Sequence, residues 1–254
     1  MQSSNRREKT SMLGQAIDHV PDDQGVLYLD HLDQSGPSSV FFCNVHMLTL
    51  AQSDPDLSAA MTGADYIFAD GVPIKWLQQR LTGSRAARVQ GYEAVLYLCG
   101  KCAENNEPVG FYGARDVTLV RLAERLRNEC PGLQIPFTHS PAAIDDDFQE
   151  SGELLDQING HTLKYLFVGL GCPKQEKWIM RHRSSINCSL LGVGAAFDWL
   201  AGVEKMPPKW MEQRGLAWLH RLSHHPARMF HRYFVFNSKF VLLAARELRR
   251  ARST

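Results

Sequence analysis

The chain has 254 residues, of which 44% are hydrophobic and 22% charged, a composition typical of a globular protein with a sizeable core. It contains no run of about 18 apolar residues, so no transmembrane helix is expected, and its N-terminus lacks the apolar stretch of a secretory signal. Six cysteines in a chain of this length indicate a reducing cytoplasm rather than a disulfide framework.

The net charge of +1 conceals an uneven distribution. From residue 204 to the end, 11 Lys and Arg face 3 Asp and Glu, whereas residues 1–203 carry 17 basic against 24 acidic side chains. A basic tail on an acidic body indicates an anionic partner for the tail, which could be a membrane, a nucleic acid or a phosphorylated substrate.

Residues 1–25 are predicted to form a mobile N-terminal arm. Six apolar runs of strand length follow: Val40–Cys43, Tyr66–Ala69, Val109–Tyr112, Leu133–Phe137, Tyr165–Val168 and Ser189–Val193. Between them lie amphipathic stretches of helical spacing: His46–Ala60, Pro73–Leu81, Glu93–Glu104, Val117–Cys130, Glu153–Ile158 and Pro173–His182. Apolar strands that alternate with helices indicate a parallel sheet covered on both faces, so the fold class predicted for residues 26–203 is an α/β Rossmann-like domain.

A basic helical tail is predicted over residues 204–254. One helix should run from Pro207 to about Ser223, and a second should begin at Pro226 and extend toward Arg252. The second helix mixes aromatic side chains with arginine and lysine. Two interpretations stand: an amphipathic helix at a membrane surface, or a C-terminal helix packed on the body with its basic face in water.

Small or polar residues follow the predicted strands, where ligands of open parallel sheets bind. In chain order these residues are Asn44, Asp70, Gly113, Gly169, Gly171 and Asp198. Asp70 is the least expected of these residues, because its carboxylate directly follows an apolar run and directly precedes a predicted helix. It could cap that helix, or it could carry chemistry.

The segment VGLGCPKQE is the best candidate for a phosphate site. Gly169 and Gly171 would let the backbone approach a ligand, and the N–H groups of the helix that starts at Pro173 would face it. The segment matches neither the dinucleotide fingerprint nor the P-loop, so a packing role is the alternative. Its candidate ligand-binding side chains are Lys174, Gln175 and Glu176.

Metal and covalent chemistry are not indicated by the motifs. His220 and His224 have helical spacing, but HRLSH lacks the glutamate of the HExxH motif. The chain has no G-x-S-x-G nucleophile elbow.

Several stretches, in order, resemble the WecG/TagA/CpsF glycosyltransferases of bacterial surface-polysaccharide synthesis. They are ADYIFADGVPIKW, RVQG, VGFYGA, FVGLGCPKQEKWI, GVGAAFDWLAG and RGLAWLHRLSHHPARMFHRY, and they lie between about residues 40 and 233. The chain differs from the family pattern at Phe42, Met206 and Ala217.

The resemblance implies an inverting, metal-independent enzyme without a cofactor. It would move a sugar from a UDP-sugar to an undecaprenyl-diphosphate-linked sugar during exopolysaccharide, capsule or related glycan synthesis. Asp70 would be the general base, and a single carboxylate suits an inverting transfer. The resemblance assigns substrate binding to Asn44, Arg88 and Gln175, and to three tail arginines that close over the diphosphate, Arg221, Arg228 and Arg232.

The same resemblance implies a peripheral protein at the inner face of the cytoplasmic membrane, with anionic lipid as a partner of the tail. A homo-oligomer is also predicted, because an aromatic tail away from the membrane would expose a large apolar patch. A soluble nucleotide-sugar-modifying enzyme of the same fold class is the alternative, although the GxGxxG and Tyr-x-x-x-Lys motifs are missing. A nucleic-acid-binding module is disfavoured, since the acidic body would repel phosphates.

Overall fold

The computed structural model describes residues 7–32, 36–142, 148–224 and 226–252, and in the tail it leaves the side chains of residues 213, 217, 221 and 224–233 undescribed. Its centre is a six-stranded parallel sheet in the order β4-β3-β8-β7-β5-β6. A separate antiparallel hairpin, β1-β2, precedes the sheet in the chain. The strands are β1 Lys9–Met12, β2 Gln15–Asp18, β3 Ser39–Cys43, β4 Tyr66–Ala69, β5 Val109–Gly113, β6 Phe137–His139, β7 Tyr165–Gly169 and β8 Ser189–Gly192.

Helices cover both faces of the sheet, and this confirms the predicted α/β Rossmann-like fold class. They are α1 Val45–Leu50, α2 Pro55–Gly63, α3 Val72–Thr82, α4 Gly91–Asn105, α5 Asp116–Glu129, α6 Gly152–Gly160, α7 Lys174–His182, α8 Ala196–Leu200, α9 Lys209–Gln213, α10 Ala217–His224 and α11 Pro226–Ala251. A 3-10 helix spans Gly25–His31. One core packs α1–α3, α7 and α11 on the sheet, and the other packs α4, α5 and α8 on its opposite face.

The order of the strands locates the ligand-binding crevice expected for such a sheet. The chain leaves β3 for β4 at one edge and later passes from β5 to β6 at the other edge. Strands β8 and β7 fill the position between these two halves. In open α/β sheets, ligands bind beyond the carboxyl ends of the strands at such a reversal of direction.

The prediction of a mobile arm over residues 1–25 is wrong for much of that segment. Residues 9–18 form the β1-β2 hairpin, and Met12 and Ile17 are fully buried in the core beneath it. The Asp18 carboxylate accepts a hydrogen bond from the backbone N–H of Ile67, 2.8 Å away, which ties the hairpin to β4. Strands β1 and β2 have only four residues each and lie among charged residues, so their apolar pattern was too weak to predict them.

Two other elements differ from their predicted bounds. The single helix predicted over His46–Ala60 is two helices, because Asp54 caps α2 at Leu57 N–H and Pro55 opens that helix. The strand predicted at Leu133–Phe137 is shifted toward the C-terminus, to Phe137–His139 at the edge of the sheet.

The described part of the basic tail contains three helices, whereas two were predicted. The first predicted helix breaks at Gly215, which has a positive φ of 73° and packs so closely that an added Cβ would lie 3.1 Å from Val72 Cβ. This contact brings the tail to the start of α3, immediately after Asp70.

Helix α11 has two different long faces. Phe240 and Ala244 are buried in the core, and Phe236 packs edge-on against the His46 ring of α1. The outward face carries Phe234, Val241 and Leu242, with 66%, 63% and 62% exposure, and is followed by exposed arginines near the C-terminus. Within the described parts of the chain, no helix combines the length and the hydropathy needed to cross a membrane. Helix α11 therefore packs on the body, as the second sequence interpretation predicts, and its outward face is apolar in addition to basic. The membrane-surface interpretation stays a prediction.

Candidate functional site

Asp70 and Asn44 lie side by side at the carboxyl ends of β4 and β3. The backbone N–H of Asp70 donates to the carbonyl of Cys43 at 2.9 Å, which continues the parallel pairing of the two strands. A Cβ built on Gly71 would lie 3.9 Å from Asn44 Cα. Both side chains are half-buried. The prediction that these strand ends meet is confirmed.

Asp70 does not hold the N-cap position of α3. That position belongs to Gly71, and the N–H groups of Ile74 and Lys75 both bond to the Gly71 carbonyl. Pro73 has no N–H to offer. Asp70 therefore lies one residue before the cap position that the alternative interpretation assigns to it.

Asn44, in contrast, is a helix cap. Its Oδ1 accepts the backbone N–H of Met47 at 3.1 Å, at the start of α1. This bond fixes the side chain at the strand end. The Nδ2 amide takes no part in this bond. If Asn44 binds substrate as predicted, Nδ2 is the group that would do so.

Arg88 reaches the same edge through the segment before α4. The backbone N–H of Val89 donates to the carbonyl of Ala69 at 3.0 Å, which places Arg88 beside the end of β4. The Arg88 side chain is half-buried. Burial raises the pKa of Glu93, and the nearby Arg88 guanidinium partly offsets this rise.

Sequence reasoning missed the residues that attach the tail to this edge. The Gln90 side chain donates to Glu212 Oε1 at 2.5 Å, and the Tyr92 hydroxyl donates to Glu212 Oε2 at 3.5 Å. Glu212 belongs to α9 and is 8% exposed. Gln90 stands inside the quoted RVQG stretch, which was a usable signal, whereas nothing local distinguished Glu212.

The glycines at the ends of β5 and β7 serve packing. A Cβ on Gly169 would overlap the Phe197 ring of α8, and a Cβ on Gly113 would lie 2.8 Å from the carbonyl carbon of Gly169. Gly113 also has a positive φ of 104°. Side chains at these positions would separate β5, β7 and α8. For Gly169, the close approach that was predicted toward a ligand is made toward the protein itself. An added Cβ on Gly171, which has a positive φ of 79°, would meet no atom of the described residues within 4 Å, so the close approach of Gly171 to a ligand stays a prediction.

Part of the predicted phosphate cradle is already occupied by the protein. Of the N–H groups in the first turn of α7, that of Gln175 donates to the carbonyl of Gly171 at 3.0 Å, and the ordinary helical pattern begins with Lys177 N–H and the Pro173 carbonyl at 3.2 Å. The N–H of Gly171 donates to Gln175 Oε1 at 3.1 Å. Helix α7 begins at Lys174, one residue later than predicted, with Pro173 as its N-cap. The start of this helix therefore presents fewer N–H groups to an anion than the sequence suggested.

The three candidate side chains of this helix face in different directions. Lys174 is exposed, whereas Gln175 and Glu176 are 3% and 0% exposed. Gln175 Nε2 donates to Glu176 Oε1 at 2.7 Å. Burial raises the pKa of Glu176 to about 7, partly offset by hydrogen bonds from Gln175 and Cys172. Direct substrate contact by Glu176, as predicted, does not fit a side chain with no exposed surface.

The Cys43 thiol is near enough to both carboxylates to be affected by their charge. Burial raises its pKa, and negative charge on Asp70 and on Glu176 raises it further. Cys43 is fully buried. This thiol therefore stays protonated.

Asp198 lies on the β5 side of the edge. Its Oδ1 accepts a hydrogen bond from Thr118 Oγ1 at 3.5 Å, in the first turn of α5, and its carbonyl accepts the N–H groups of Val203 and Glu204. Strands β8 and β7 separate β5 from β3 in the sheet. Asp198 thus organises the turn after α8.

The remaining predicted site residues are in the tail. Arg221 lies in α10, and Arg228 and Arg232 lie in α11, but their side chains fall outside the described residues. Among the described residues, no group of three or more His, Cys, Asp or Glu side chains is placed to hold a metal ion.

Comparison with known proteins identifies the family. The model of the "Glycosyl transferase WecG/TagA/CpsF family" matches residues 10–254. Relatives named N-acetylglucosaminyldiphosphoundecaprenol N-acetyl-beta-D-mannosaminyltransferase include those of Bacillus spizizenii W23, 28% identical over 78% of this chain and 76% of the relative, and Bacillus subtilis 168, 27% identical over the same shares. The Staphylococcus aureus NCTC 8325 relative is 29% identical over 62% of this chain and 61% of its own length. The chain therefore belongs to the WecG/TagA/CpsF family of glycosyl transferases and is a hexosyltransferase.

Proposed function

We propose that the chain transfers a sugar from a UDP-sugar to a polyprenyl-diphosphate-linked N-acetylglucosamine, with inversion and without a metal ion. The names of its relatives support an acceptor of this kind. The observation that carries the proposal is the half-buried Asp70 carboxylate, which stands at the β4 tip beside Asn44 and the Arg88 segment and does not occupy the helix cap.

The proposed reaction uses Asp70 as a general base. Asp70 takes the proton of the acceptor hydroxyl while that oxygen forms a bond to the anomeric carbon of the donor. The bond from the anomeric carbon to the diphosphate oxygen breaks on the opposite face, and UDP leaves with the electron pair. One carboxylate is enough for such a displacement, and the product has inverted configuration.

The leaving diphosphate requires positive charge as it departs. Arg88 is proposed to supply part of it, because the bond from Val89 N–H to the Ala69 carbonyl places Arg88 beside the end of β4, next to Asp70. Arg221, Arg228 and Arg232 are proposed to supply the rest, since the planar guanidinium binds phosphate oxygens in pairs. The bond from Gln90 to Glu212 supports this arrangement, because it holds the tail against the Arg88 segment.

The outward face of α11 is proposed to lie on anionic lipid at the cytoplasmic membrane face. Phe234, Val241 and Leu242 would enter the interfacial region while Arg246 and Arg249 contact lipid headgroups. This placement would bring the active site to a lipid-linked acceptor. It would also account for an apolar surface that is otherwise costly in water.

The reaction is tested by UDP release from a panel of UDP-sugars with short-chain polyprenyl-diphosphate N-acetylglucosamine, in EDTA. Turnover with one donor, and a product whose anomeric configuration is opposite to the donor's by NMR, is the expected result. Turnover that occurs only after a metal ion is added would contradict the proposal that the transfer is metal-independent. Retained configuration would remove the single-base mechanism.

Membrane docking is tested by flotation with anionic and with zwitterionic vesicles. The variant Phe234→Ser with Leu242→Ser should lose binding to anionic vesicles. The matched control is Val117→Ser with Val120→Ser, which removes equally exposed apolar side chains from α5. If the α11 variant still floats but no longer self-associates in sedimentation, the apolar face contacts a second copy of the chain instead.

A further inference from the structure

Glu176 is a buried acid for which the proposed mechanism has no use. It stands in the first turn of α7 with no exposed surface. Its Oε1 accepts from Gln175 Nε2 at 2.7 Å, and its Oε2 has no hydrogen-bond partner among the described residues. Burying a carboxyl group with incomplete hydrogen bonding is costly, so its place in the structure calls for a role.

The partner of Glu176 links two loops at the carboxyl edge of the sheet. Gln175 Oε1 accepts the backbone N–H of Gly171, in the turn after β7. The same amide lies beneath the end of β8, where a Cβ on Gly192 would be 3.2 Å from Gln175 Nε2 and one on Gly194 would be 3.5 Å from Oε1. The Gln175 side chain is therefore hydrogen-bonded to the turn after β7 and packs closely against the end of β8 and the turn that follows it.

The orientation of this amide depends on Glu176. A glutamine amide has one accepting end and one donating end of nearly the same shape. The Gly171 N–H requires the accepting end, and Glu176 accepts from the donating end. Without an acceptor at position 176, the amide could rotate and leave the Gly171 N–H unpaired.

Resting on the function proposed above, we propose that Glu176 is a positioning residue, which acts through Gln175 to hold the turn after β7 in place against the end of β8. These two strands lie between the two halves of the sheet, where open α/β sheets bind their ligands, and we take the ligand at this place to be the nucleotide of the donor. Glu176 touches neither substrate nor reacting atoms. Its action requires a hydrogen-bond acceptor at that place, and it does not require a negative charge.

The surroundings of Glu176 favour an acceptor without charge. The titratable groups that act on it or are acted on by it are Cys43 of β3 and Cys172 of its own turn. Helix α2 packs on α7 and presents Asp54 and Asp56, and both of these carboxylates pair with Lys177. Burial favours the protonated form of Glu176 and raises its pKa to about 7.

The test compares Glu176→Ala, which removes the acceptor, with Glu176→Gln, which keeps an oxygen at that place. The control is Glu153→Ala, an exposed glutamate in the first turn of α6. Hydrogen exchange of the peptide 168–175 is measured on the full chain without substrate, and KM for the UDP-sugar and for the acceptor is measured separately.

Loss of one hydrogen bond is expected to raise the exchange of that peptide and the KM for the donor by about five- to tenfold in Glu176→Ala. The KM for the acceptor should change much less. Glu176→Gln and Glu153→Ala should match the unaltered chain in all three measurements. A Glu176→Gln chain as impaired as Glu176→Ala, or a Glu176→Ala chain without any defect, would overturn the proposal.

Two further arms keep the outcome decisive. If Glu176→Ala does not fold, Glu176→Asp replaces it, because it keeps the carboxyl group and withdraws its oxygen atoms by one methylene. A defect in Glu176→Asp but not in Glu176→Gln supports positioning, and the reverse result contradicts it. If the unaltered chain transfers no sugar at all, the proposed function fails, while the exchange measurement still tests Glu176.

Discussion

The two halves of the sheet's carboxyl edge differ in where their polar side chains face. On the β4-β3 side, Asp70, Asn44 and Arg88 are half-buried and the tail closes beside them. On the β7 side, Gln175 and Glu176 face inward. The segment with the most specific sequence pattern is thus mainly a scaffold, and the shorter ADG element carries the accessible acid. A specific sequence motif shows that its residues are constrained, and the constraint can come from packing as well as from chemistry.

The largest expected effect comes from the accessible acid. Asp70→Asn should lower turnover by about 10²- to 10⁴-fold, because the amide cannot take the proton of the acceptor. UDP binding, measured by calorimetry, should be unchanged. The control is Asp116→Asn, an exposed acid in the first turn of α5. Full activity in Asp70→Asn would mean that Asp70 is not the base. The acids on both sides of the edge would then have structural roles only.

The buried acid should instead affect stability, with a defined pH dependence. Glu176 has a folded-state pKa of about 7 against an ordinary value of 4.5, so the folded protein holds this proton more tightly than the unfolded chain. Its contribution is most favourable below pH 4.5 and is lost as the pH rises to about 7. Relative to Glu176→Gln, the unaltered chain should lose up to about 3 kcal/mol across this window.

Urea unfolding of both chains at several pH values within the window measures this difference. Glu153→Gln, at an exposed position, serves as the control and should show no such trend. A difference between the Glu176 pair that does not change with pH would mean that Glu176 has the same pKa in the folded and the unfolded chain, against its burial.

Gly169→Ala tests whether the glycine turn on the β7 side serves packing. The added methyl group would overlap the Phe197 ring, and overpacking of this kind costs about 1–3 kcal/mol. Gly100→Ala is the matched control, since its Cβ would enter open space within α4, where alanine is favoured. Thermal unfolding measures both. An unaltered melting temperature for Gly169→Ala would mean that the turn has room for a ligand.

The smallest effect is expected for the attachment of the tail. Glu212→Ala removes the acceptor for Gln90 and Tyr92, which is worth about 1 kcal/mol, or roughly fivefold in turnover, if the tail helps to complete the site. Glu247→Ala, elsewhere in the tail, is the comparison. Limited proteolysis near residue 205 should increase only in Glu212→Ala. Unchanged turnover together with increased cleavage would separate tail attachment from activity.

The sheet could be predicted closely from the sequence because its strands are buried on both faces. The predicted bounds of β4 agree with the structure, and β3 and β8 differ by one residue at one end. An uninterrupted apolar run of strand length has to be buried on both faces, and the interior of a parallel sheet provides such a position. The edge strand β6 was misplaced because only Phe137 of its three residues is buried. The helix over His46–Ala60 was wrong because its apolar periodicity continues across Pro55.

The sequence predicted which residues end the strands at the site. It did not predict how the tail packs beside them. Asn44 and Asp70 were placed together correctly, since parallel strands end at one edge. The bond from Gln90 to Glu212 could not be predicted, because 122 residues separate its partners in the chain. A contact of this kind depends on how the tail turns back at Gly215.

The sequence by itself determined the fold class, the family and the order in which small and polar residues reach one edge of the sheet, because these depend on local periodicity and on short motifs. The tertiary structure alone decided which of those residues face outward. Helix α7 packs its first turn against the ends of β3, β7 and β8, so neighbouring residues of one motif divide between solvent and core. Lys174 is exposed while Glu176, two positions later, is sealed inside, because successive side chains of a helix project about 100° apart around its axis.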